Sequence, residues 1–173
     1  LFSERMCRHF FEDYGLDVKV ARYHNIYGPH GTYDGGREKA PAALCRKVIY
    51  SILNNENTID VWGDGEQTRS FLYIDDCVEA TLKLFDSEYH GPINIGSEEK
   101  VSINEMIDKI EIISNKKIKR NYQLDKPKGV RGRNSNNDLI RKQLNWDPKY
   151  TLQSGLNKTY QWILSEIKKK HNQ

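Results

Sequence analysis

The spacing of apolar residues along the chain predicts several amphipathic helices. Apolar residues at positions 1, 2, 6 and 10 form one stripe, which predicts a first helix ending near Gly15, a residue suited to a helix C-terminus. Apolar positions 44, 48 and 52 recur in four-residue steps and predict a second helix, with Pro41 in its first turn. The core stripe of the last helix is predicted to be Leu156, Tyr160, Ile163 and Ile167.

Capping residues indicate further helices. Asp75 or Asp76 is expected to cap the third helix, because a carboxylate accepts hydrogen bonds from the free N–H groups of a first turn. Ser102 and Glu105 have the spacing of a capping box and mark the start of a fourth helix. Residues 138–146 predict one more short helix.

Alternation of apolar and polar residues predicts short strands between these helices. Val18 and Val20 alternate with charged residues and predict the first strand. The segment TIDVWGDGEQTRSFLYI, residues 58–74, predicts two strands joined as a hairpin by a turn at Gly63-Asp64-Gly65. Two more short strands are predicted at 92–96 and 117–123. Because strands alternate with helices, the predicted fold class is α/β or α+β.

The composition is ordinary for a globular domain with a real core, since 37% of the residues are hydrophobic and 29% are charged. No apolar run approaches membrane-spanning length, and no signal-peptide pattern opens the chain. Cys7, Cys45 and Cys77 are odd in number and lack metal-ligand spacing. We therefore expect packing thiols, no metal site and a cytoplasmic location. Helical spacing starts at Leu1 without an N-cap or initiator Met, so we expect a chain that begins inside a helix of a longer protein.

Basic residues are concentrated between Lys116 and Arg133, although the net charge of the chain is only +3. This basic run, which includes Lys128, could contact RNA, but Tyr122 is its only aromatic residue. Single-strand binding uses aromatic rings on which bases stack. A site for one or two phosphate groups is the more economical interpretation. We therefore expect neither nucleic acid nor a membrane as a partner.

A polar, glycine-rich segment follows the first predicted strand at residues 28–39. Its glycines do not have the G-x-G-x-x-G spacing of a dinucleotide-binding loop, and no helix opens at the third glycine. A mobile surface loop is the better interpretation. Lys39 ends this loop beside the start of a predicted helix, where the helix macrodipole is positive. It is a candidate acid/base or phosphate-binding residue, and a solvated loop lysine is the alternative.

Other polar residues lie at the ends of predicted strands. His24 and Asn25 end the first strand, and such side chains often face the ligand crevice of an α/β sheet. A packed histidine and a turn-forming asparagine are the alternative. Asp64, Gln67 and Arg69 surround the predicted turn, and a guanidinium suits phosphate groups. A polar hairpin tip is the alternative there.

Two groups of motifs give this chain a family resemblance. The wider group is R-x-x-N-x-Y-G-P at 22–29 and G-D-G-x-Q-x-R-x-F-x-x-I-D-D at 63–76. With these motifs, essentially the whole chain resembles the extended short-chain dehydrogenase/reductases, in particular their NAD-dependent nucleotide-sugar epimerases and dehydratases. The narrower group, GGREKAPAA at 35–43 and VRGRNSNN at 130–137, resembles the GDP-mannose 3,5-epimerase branch of that family.

The resemblance implies an α/β fold that is the C-terminal part of such an enzyme. Residues 1–30 would be a remnant of the NAD-binding Rossmann domain, namely its last helix and strand. Residues 31–173 would be mostly the smaller sugar-nucleotide-binding lobe, with some segments that return to the Rossmann domain. The full-length protein would be an isomerase that takes a GDP-hexose as substrate, uses NAD as cofactor and forms a homodimer.

The resemblance also assigns residues to the reaction. NAD takes a hydride from C4 of the hexose in this family, and the ketone that forms makes the C–H bonds at C3 and C5 acidic. Lys39 matches the acid/base residue at these carbons, and its Tyr, Lys and Cys partners would lie upstream of this chain. The residues that match the substrate site are Asn25, Glu38, Lys39, Ala40, Lys47, Gln67, Thr68, Arg69 and Arg133.

Within this set, the residues from Gln67 to Arg69 and Arg133 would hold the diphosphate of the nucleotide. Tyr23 and His24 would lie near the nicotinamide of NAD. Because most of the NAD site would lie upstream, we expect this chain alone to be inactive. Another nucleotide-sugar 4-epimerase or a 4,6-dehydratase is the alternative enzyme, and an inert sugar-nucleotide-binding module is the alternative without catalysis.

Overall fold

Helices and strands alternate along the chain, and the predicted α/β class is confirmed. The computed structural model describes residues 1–126 and 130–171, so Lys128 of the predicted basic run lies outside the described residues. The helices are α1 (Phe2–Tyr14), α2 (Ala40–Leu53), α3 (Ile74–Phe85), α4 (Ile103–Ser114), α5 (Asp138–Leu144) and α6 (Leu152–His171). The strands are β1 (Val20–Tyr23), β2 (Ile26–Tyr27), β3 (Thr58–Trp62), β4 (Thr68–Ser70), β5 (Leu72–Tyr73), β6 (Pro92–Ile95), β7 (Lys100–Ser102), β8 (Lys119–Gln123) and β9 (Gly132–Arg133).

Parallel pairing predominates among these short strands. β1 lies parallel to β6, with Val20 opposite Pro92, and β2 lies parallel to β5. β3 lies parallel to β8, whereas β4 lies between the antiparallel strand β7 and the parallel strand β9. Parallel neighbours need a crossover connection. The chain accordingly passes through α2 and α3 between β1 and β6, and through α3 and α4 between β3 and β8.

Two clusters of buried side chains hold these elements together. The larger cluster packs α2, α4 and α6 against one another and includes Val48, Ile107 and Ile163. The smaller cluster packs α3 and α5 against β6 and includes Leu84 and Ile93. The predicted core stripe of α6 is confirmed, since all four of its side chains are buried. The domain boundary placed at residue 30 stays a prediction.

Several predicted helix ends are confirmed. Gly15 ends α1 with φ at 65°, in the left-handed region that glycine adopts without a steric penalty. The capping box of α4 is formed, because Glu105 N donates to Ser102 Oγ at 3.1 Å and Ser102 N donates to Glu105 Oε2 at 2.7 Å. Among the described residues, no helix combines the length and apolar character needed to cross a membrane.

The predicted hairpin at residues 58–74 is wrong. β3 and β4 do not pair with each other, because β3 pairs with β8 and both edges of β4 are occupied by β7 and β9. Gly63 and Gly65 do turn the chain, with φ at 73° and 76°. However, Gly63 N donates to Gln123 O at 2.9 Å and so extends the β3–β8 pairing. The turn leads β4 into another sheet, and long-range pairing overrides the local hairpin pattern.

The predicted cap of α3 is also wrong. The N-cap residue is Tyr73, and Asp75 and Asp76 lie inside the first turn. Asp76 is 1% exposed, and its two carboxylate oxygens accept from the backbone N–H groups of Lys149 and Tyr150, each at 3.0 Å. The carboxylate therefore joins α3 to the segment before α6, and the helix begins earlier than the acidic residues suggest.

Candidate active site

A cleft of about 500 Å³ lies between the first turns of α2 and the strand β3. Of the predicted substrate residues, it brings together Glu38, Ala40, Lys47 and Gln67. Arg46, Asp60 and Trp62 are among the other lining residues, and no sequence motif assigned them to the site. The other five predicted substrate residues, Asn25, Lys39, Thr68, Arg69 and Arg133, are outside the lining of this cleft and are described below.

Lys39 is the N-cap residue of α2. Its backbone is extended, with φ at −73° and ψ at 156°, and its carbonyl accepts from Ala43 N at 3.0 Å. Pro41 lies in the first turn, where a missing N–H group removes no helix hydrogen bond. The Lys39 side chain is exposed and caps no backbone group. The lysine therefore projects a cation from the positive end of a helix, next to two residues that line the cleft, Glu38 and Ala40.

Glu38 is held by Arg46 of α2. The Arg46 Nη2 donates to Glu38 Oε1 at 2.8 Å, and the Glu38 side chain is only 7% exposed. Burial tends to raise the pKa of this carboxyl, but nearby backbone N–H groups and the Arg46 guanidinium outweigh burial and lower it. Glu38 Oε2 is buried and accepts no hydrogen bond from the described residues. An ionised carboxylate thus retains one buried acceptor for a ligand hydroxyl.

Lys47 follows on the same helix and contacts the neighbouring strand. Its Nζ donates to the backbone carbonyl of Asp60 at 2.8 Å. Burial lowers the pKa of Lys47, and the charge of Arg46 acts in the same direction, while Asp60 and Glu38 oppose it. A partly desolvated ammonium next to a cleft is suited to bind an anionic or hydroxyl oxygen.

Gln67 and Trp62 form the other side of the cleft. Gln67 Nε2 donates to the Trp62 carbonyl at 3.1 Å, while its Oε1 is buried and has no partner among the described residues. The Trp62 side chain is 56% exposed although it lines the cleft. An exposed indole beside unpaired polar atoms is common where a ligand supplies the missing contacts. Trp62 directly precedes the motif Gly63-Asp64-Gly65, and this position could have identified it as a candidate site residue.

The predicted diphosphate residues meet on two adjacent strands. In the parallel pair β4–β9, Thr68 lies opposite Gly132 and Arg69 lies opposite Arg133. Thr68 N donates to Arg131 O at 2.9 Å and extends this pairing. Arg69 Nη1 donates to the carbonyl of Thr68 at 2.7 Å, and like charges at paired strand positions are unfavourable unless an anion lies near them. The structure therefore juxtaposes Arg69 and Arg133, which are distant in sequence, in an arrangement that suits a diphosphate.

Asn25, which was predicted to end the first strand, lies between β1 and β2 with φ at 42°. Asn25 Nδ2 donates to the carbonyl of Ser70 at 3.0 Å, which ties this position to the end of β4. Asparagine adopts such a conformation more readily than most residues. Asn25 is therefore placed beside the strand that carries Arg69, rather than in the cleft itself.

Tyr23 and His24 lie at the carboxyl end of β1. His24 N donates to Ile95 O at 2.9 Å, and the Tyr23 hydroxyl is 3.1 Å from Thr81 Oγ1. Burial lowers the pKa of His24, and the positive charge of Arg133 lowers it further. The charge of Arg133, a candidate diphosphate residue, thus adds to the effect of burial on the pKa of His24, a candidate nicotinamide residue.

The residues present fit only one end of NAD. Tyr23 and His24 lie where cofactors meet substrates in parallel sheets, at the carboxyl end of a strand. A strand followed directly by a glycine-rich turn and a helix, which would bind the pyrophosphate of NAD, is absent from the described residues. The loop of Gly28, Gly31 and Gly35 is instead followed by Glu38 and Lys39 before α2 begins.

Comparisons of the sequence with a family profile and with individual proteins agree on one family. The sequence profile of the NAD dependent epimerase/dehydratase family matches residues 1–96, more than half of the 173 residues. GDP-mannose 3,5-epimerase of Arabidopsis thaliana is 48% identical over 169 residues, which are 98% of this chain and 44% of that protein. GDP-mannose 3,5-epimerase 1 of Oryza sativa subsp. indica is 47% identical over 173 residues, which are 100% of this chain and 44% of that protein.

A solved structure agrees with the sequence relatives. UDP-glucose 4-epimerase of Thermotoga maritima, crystallised with UDP-glucose, superposes with a TM-score of 0.85 at 26% identity. The match covers 96% of this chain and 52% of the other. The chain spans less than half the length of the curated relatives described above. On the family profile and these identities, the chain belongs to the NAD-dependent epimerase/dehydratase family.

Proposed function

We propose that this chain is the sugar-nucleotide-binding, C-terminal part of an NAD-dependent GDP-mannose 3,5-epimerase. The observation that carries the proposal is the placement of Lys39 at the helix end directly beside Glu38, at the edge of a cleft lined by Lys47 and Gln67. This pairs an exposed proton-carrying amine with a buried carboxylate acceptor. The identity of 48% to a GDP-mannose 3,5-epimerase supports this substrate over other nucleotide sugars.

Each end of the proposed substrate has a matching group. The juxtaposed Arg69 and Arg133 would bind the diphosphate of a GDP-hexose, with the backbone of Gln67 and Thr68 beside them. Asn25, Glu38, Ala40 and Lys47 would contact the hexose. Lys39 would exchange a proton at C3 or C5 of a hexose oxidised at C4. NAD, when bound, would supply the hydride acceptor at C4, and Tyr23 and His24 would border its nicotinamide.

Three properties of the whole protein follow from the same proposal. Most of the NAD site and the partners of Lys39 would lie upstream, so this chain alone would not turn over. The full-length protein would form a homodimer, which is supported by apolar residues of α1 that stay exposed, such as Phe2 at 77% and Tyr14 at 78%. A cytoplasmic location is supported by free thiols at the buried Cys45 and Cys77.

Deuterium incorporation into GDP-mannose tests the proposal. A longer protein that carries both this chain and the upstream half is incubated with GDP-mannose and NAD in D₂O. We expect exchange at C3 and C5 and its loss in Lys39→Met. Inversion at C4 without deuterium at C3 or C5 would indicate a 4-epimerase, and loss of water would indicate a 4,6-dehydratase. The absence of any exchange at C3 and C5 would overturn the proposal.

A further inference from the structure

Arg46 organises the segment that leads to the proposed acid/base lysine. Its guanidinium contacts three separate residues of that segment. Nε donates to the Tyr33 carbonyl at 2.9 Å, Nη2 donates to Glu38 Oε1 at 2.8 Å, and Nε lies 3.6 Å from Asp34 Oδ1. The backbone between these contacts turns at Gly35 and Gly36, whose φ values are 92° and 82°. The segment 33–38 therefore wraps around one planar cation.

Apart from Arg46, the turn has a local hydrogen bond, in which Gly35 N donates to Asp34 Oδ1 at 2.9 Å. A Cβ atom at Gly35 or Gly36 would meet no atom within 4 Å, so open space lies on that side of both glycines. Glycine has the widest conformational freedom of any residue, and two in succession make a weak link in the chain. The Arg46 fork, which offers several donors in a fixed plane, bridges this link from Tyr33 to Glu38.

The contacts of Arg46 also determine what Glu38 offers to the cleft. One carboxylate oxygen is occupied by Arg46, while the other is buried and has no partner among the described residues. A buried acceptor without a donor is costly unless a ligand supplies one. Because Glu38 directly precedes Lys39, an orientation imposed on Glu38 is imposed on the start of α2 as well.

We propose that Arg46 is a positioning residue, which fixes the Gly35-Gly36 turn so that Glu38 presents its free oxygen to the hexose and Lys39 is held at the cleft. This inference rests on the proposed function and extends it to a residue that would not itself touch the hexose. It predicts that Arg46 governs recognition of the sugar and has little effect on recognition of the nucleotide, because Arg69 and Arg133 lie on strands that it does not contact.

The first test compares ligands by isothermal titration calorimetry. GDP-mannose and GDP are titrated into this chain and into its Arg46→Met variant. We expect about a tenfold loss of affinity for GDP-mannose, the size of one lost charge-assisted hydrogen bond, with the affinity for GDP unchanged. Arg37→Met is the matched control. It also removes one positive charge and lies next to Glu38 in the sequence, but Arg37 is exposed and is not among the residues that line the cleft.

The second test needs no ligand. In Arg46→Met we expect the pKa of Glu38 to rise in a carbon-13 NMR titration, and the amides of Gly35, Gly36 and Glu38 to exchange faster with D₂O. Arg46→Lys should restore part of the Glu38 shift, because an ammonium can pair with the carboxylate. It should not restore slow exchange, because a single point charge cannot reproduce the fork to Tyr33 and Glu38 together.

The outcomes separate the two proposals. If the unaltered chain binds neither GDP nor GDP-mannose, the proposed function falls, and the NMR measurements alone decide whether Arg46 positions the segment. If Arg46→Met weakens both ligands equally and lowers the unfolding temperature, Arg46 is a structural residue only and the inference is overturned. It is equally overturned if Arg46→Met behaves like Arg37→Met in every measurement.

Discussion

Replacing Lys39 by serine is expected to stabilise the chain and to impair the chemistry proposed for the longer protein. Lys39 occupies the N-cap of α2, with φ at −73° and ψ at 156°, which is the extended geometry of a capping residue. Its side chain nevertheless makes no capping hydrogen bond. A serine hydroxyl in the same geometry can accept from the N–H of Ala42, three residues on, while Pro41 has no N–H to offer.

The size of the effect follows from two contributions. A serine cap in place of a residue that does not cap contributes about 1 kcal/mol to the free energy of unfolding. Removing a cation from the positive end of a helix adds about 0.3–1 kcal/mol at low ionic strength, and salt screens this part. We therefore expect the unfolding free energy to rise by about 1–2 kcal/mol in dilute buffer and by about 1 kcal/mol in high salt.

Urea unfolding followed by circular dichroism measures the gain, and Lys39→Ala separates its two parts. The alanine variant removes the charge without supplying a cap, so it should show only the salt-dependent part. In the longer protein, Lys39→Ser should reduce C3 and C5 deuterium exchange by about 100-fold or more, the usual contribution of a general acid or base. Lys39 has neither the uncapped position nor the catalytic role described if Lys39→Ser is no more stable than Lys39→Ala and keeps full exchange; either result alone contradicts the corresponding expectation.

The remaining predictions concern groups whose surroundings are defined equally well. Asp76→Ala should lower the free energy of unfolding by about 2–4 kcal/mol in urea titrations, since two backbone N–H groups lose a charged acceptor, and an unchanged value contradicts this. The pKa of His24 is lowered by burial and by Arg133, so His24 should destabilise the fold as the pH falls through 6.5. GDP binding or Arg133→Met should raise this pKa in an NMR titration, and no shift with either would argue against this effect of Arg133. Gly155→Ala should destabilise α6 by about 1–3 kcal/mol, because its new Cβ would collide with the hydroxyl of Tyr27. Adding Tyr27→Phe should recover part of that loss in a double-mutant cycle, and strict additivity would exclude the collision.

The helices were predictable because their signals are local. The Ser102–Glu105 capping box and the apolar stripe of α6 depend on neighbours within one or two turns, and both are present in the structure. The left-handed Gly15 is another local signal, since few other residues adopt that conformation without strain. Element type could thus be inferred wherever the deciding contacts are close in sequence.

Strand partners could not be inferred in the same way. The residues 58–74 contain a good turn between two strand-like runs, but each run finds a better partner far along the chain. Asp60 of β3 lies opposite Asn121 of β8, and its side chain accepts from Asn121 Nδ2 at 2.7 Å. Such pairing depends on the path that the chain takes through α3 and α4 between β3 and β8. Patterns among neighbouring residues do not contain this information.

The candidate site shows the same division. Glu38, Ala40, Lys47 and Gln67 were assigned from motifs, and the structure brings them to one cleft. Arg46 lies between two assigned residues on α2, but its role depends on the path of the glycine turn around it. The backbone path depends on the positive φ values of Gly35 and Gly36. Glycine can adopt these values but is not restricted to them, so the sequence does not determine the path. Sequence motifs therefore identified four residues that share the cleft, but they did not identify the arginine that contacts Glu38.

The two ends of the proposed substrate would bind to parts of the protein that differ in rigidity. Arg69 and Arg133 lie on paired strands, so the sites that would receive the diphosphate are held by backbone hydrogen bonds before any ligand arrives. Glu38 and Lys39 follow a glycine turn, and a side chain holds that turn in place. A preorganised site binds its ligand without paying conformational entropy. A site on a hinged segment has to be ordered first, so its groups reach the ligand in the correct geometry only when all the contacts of that segment form together. On the proposed function, the nucleotide would supply the affinity, and discrimination between hexoses has to reside in the hinged segment and the arginine that orders it.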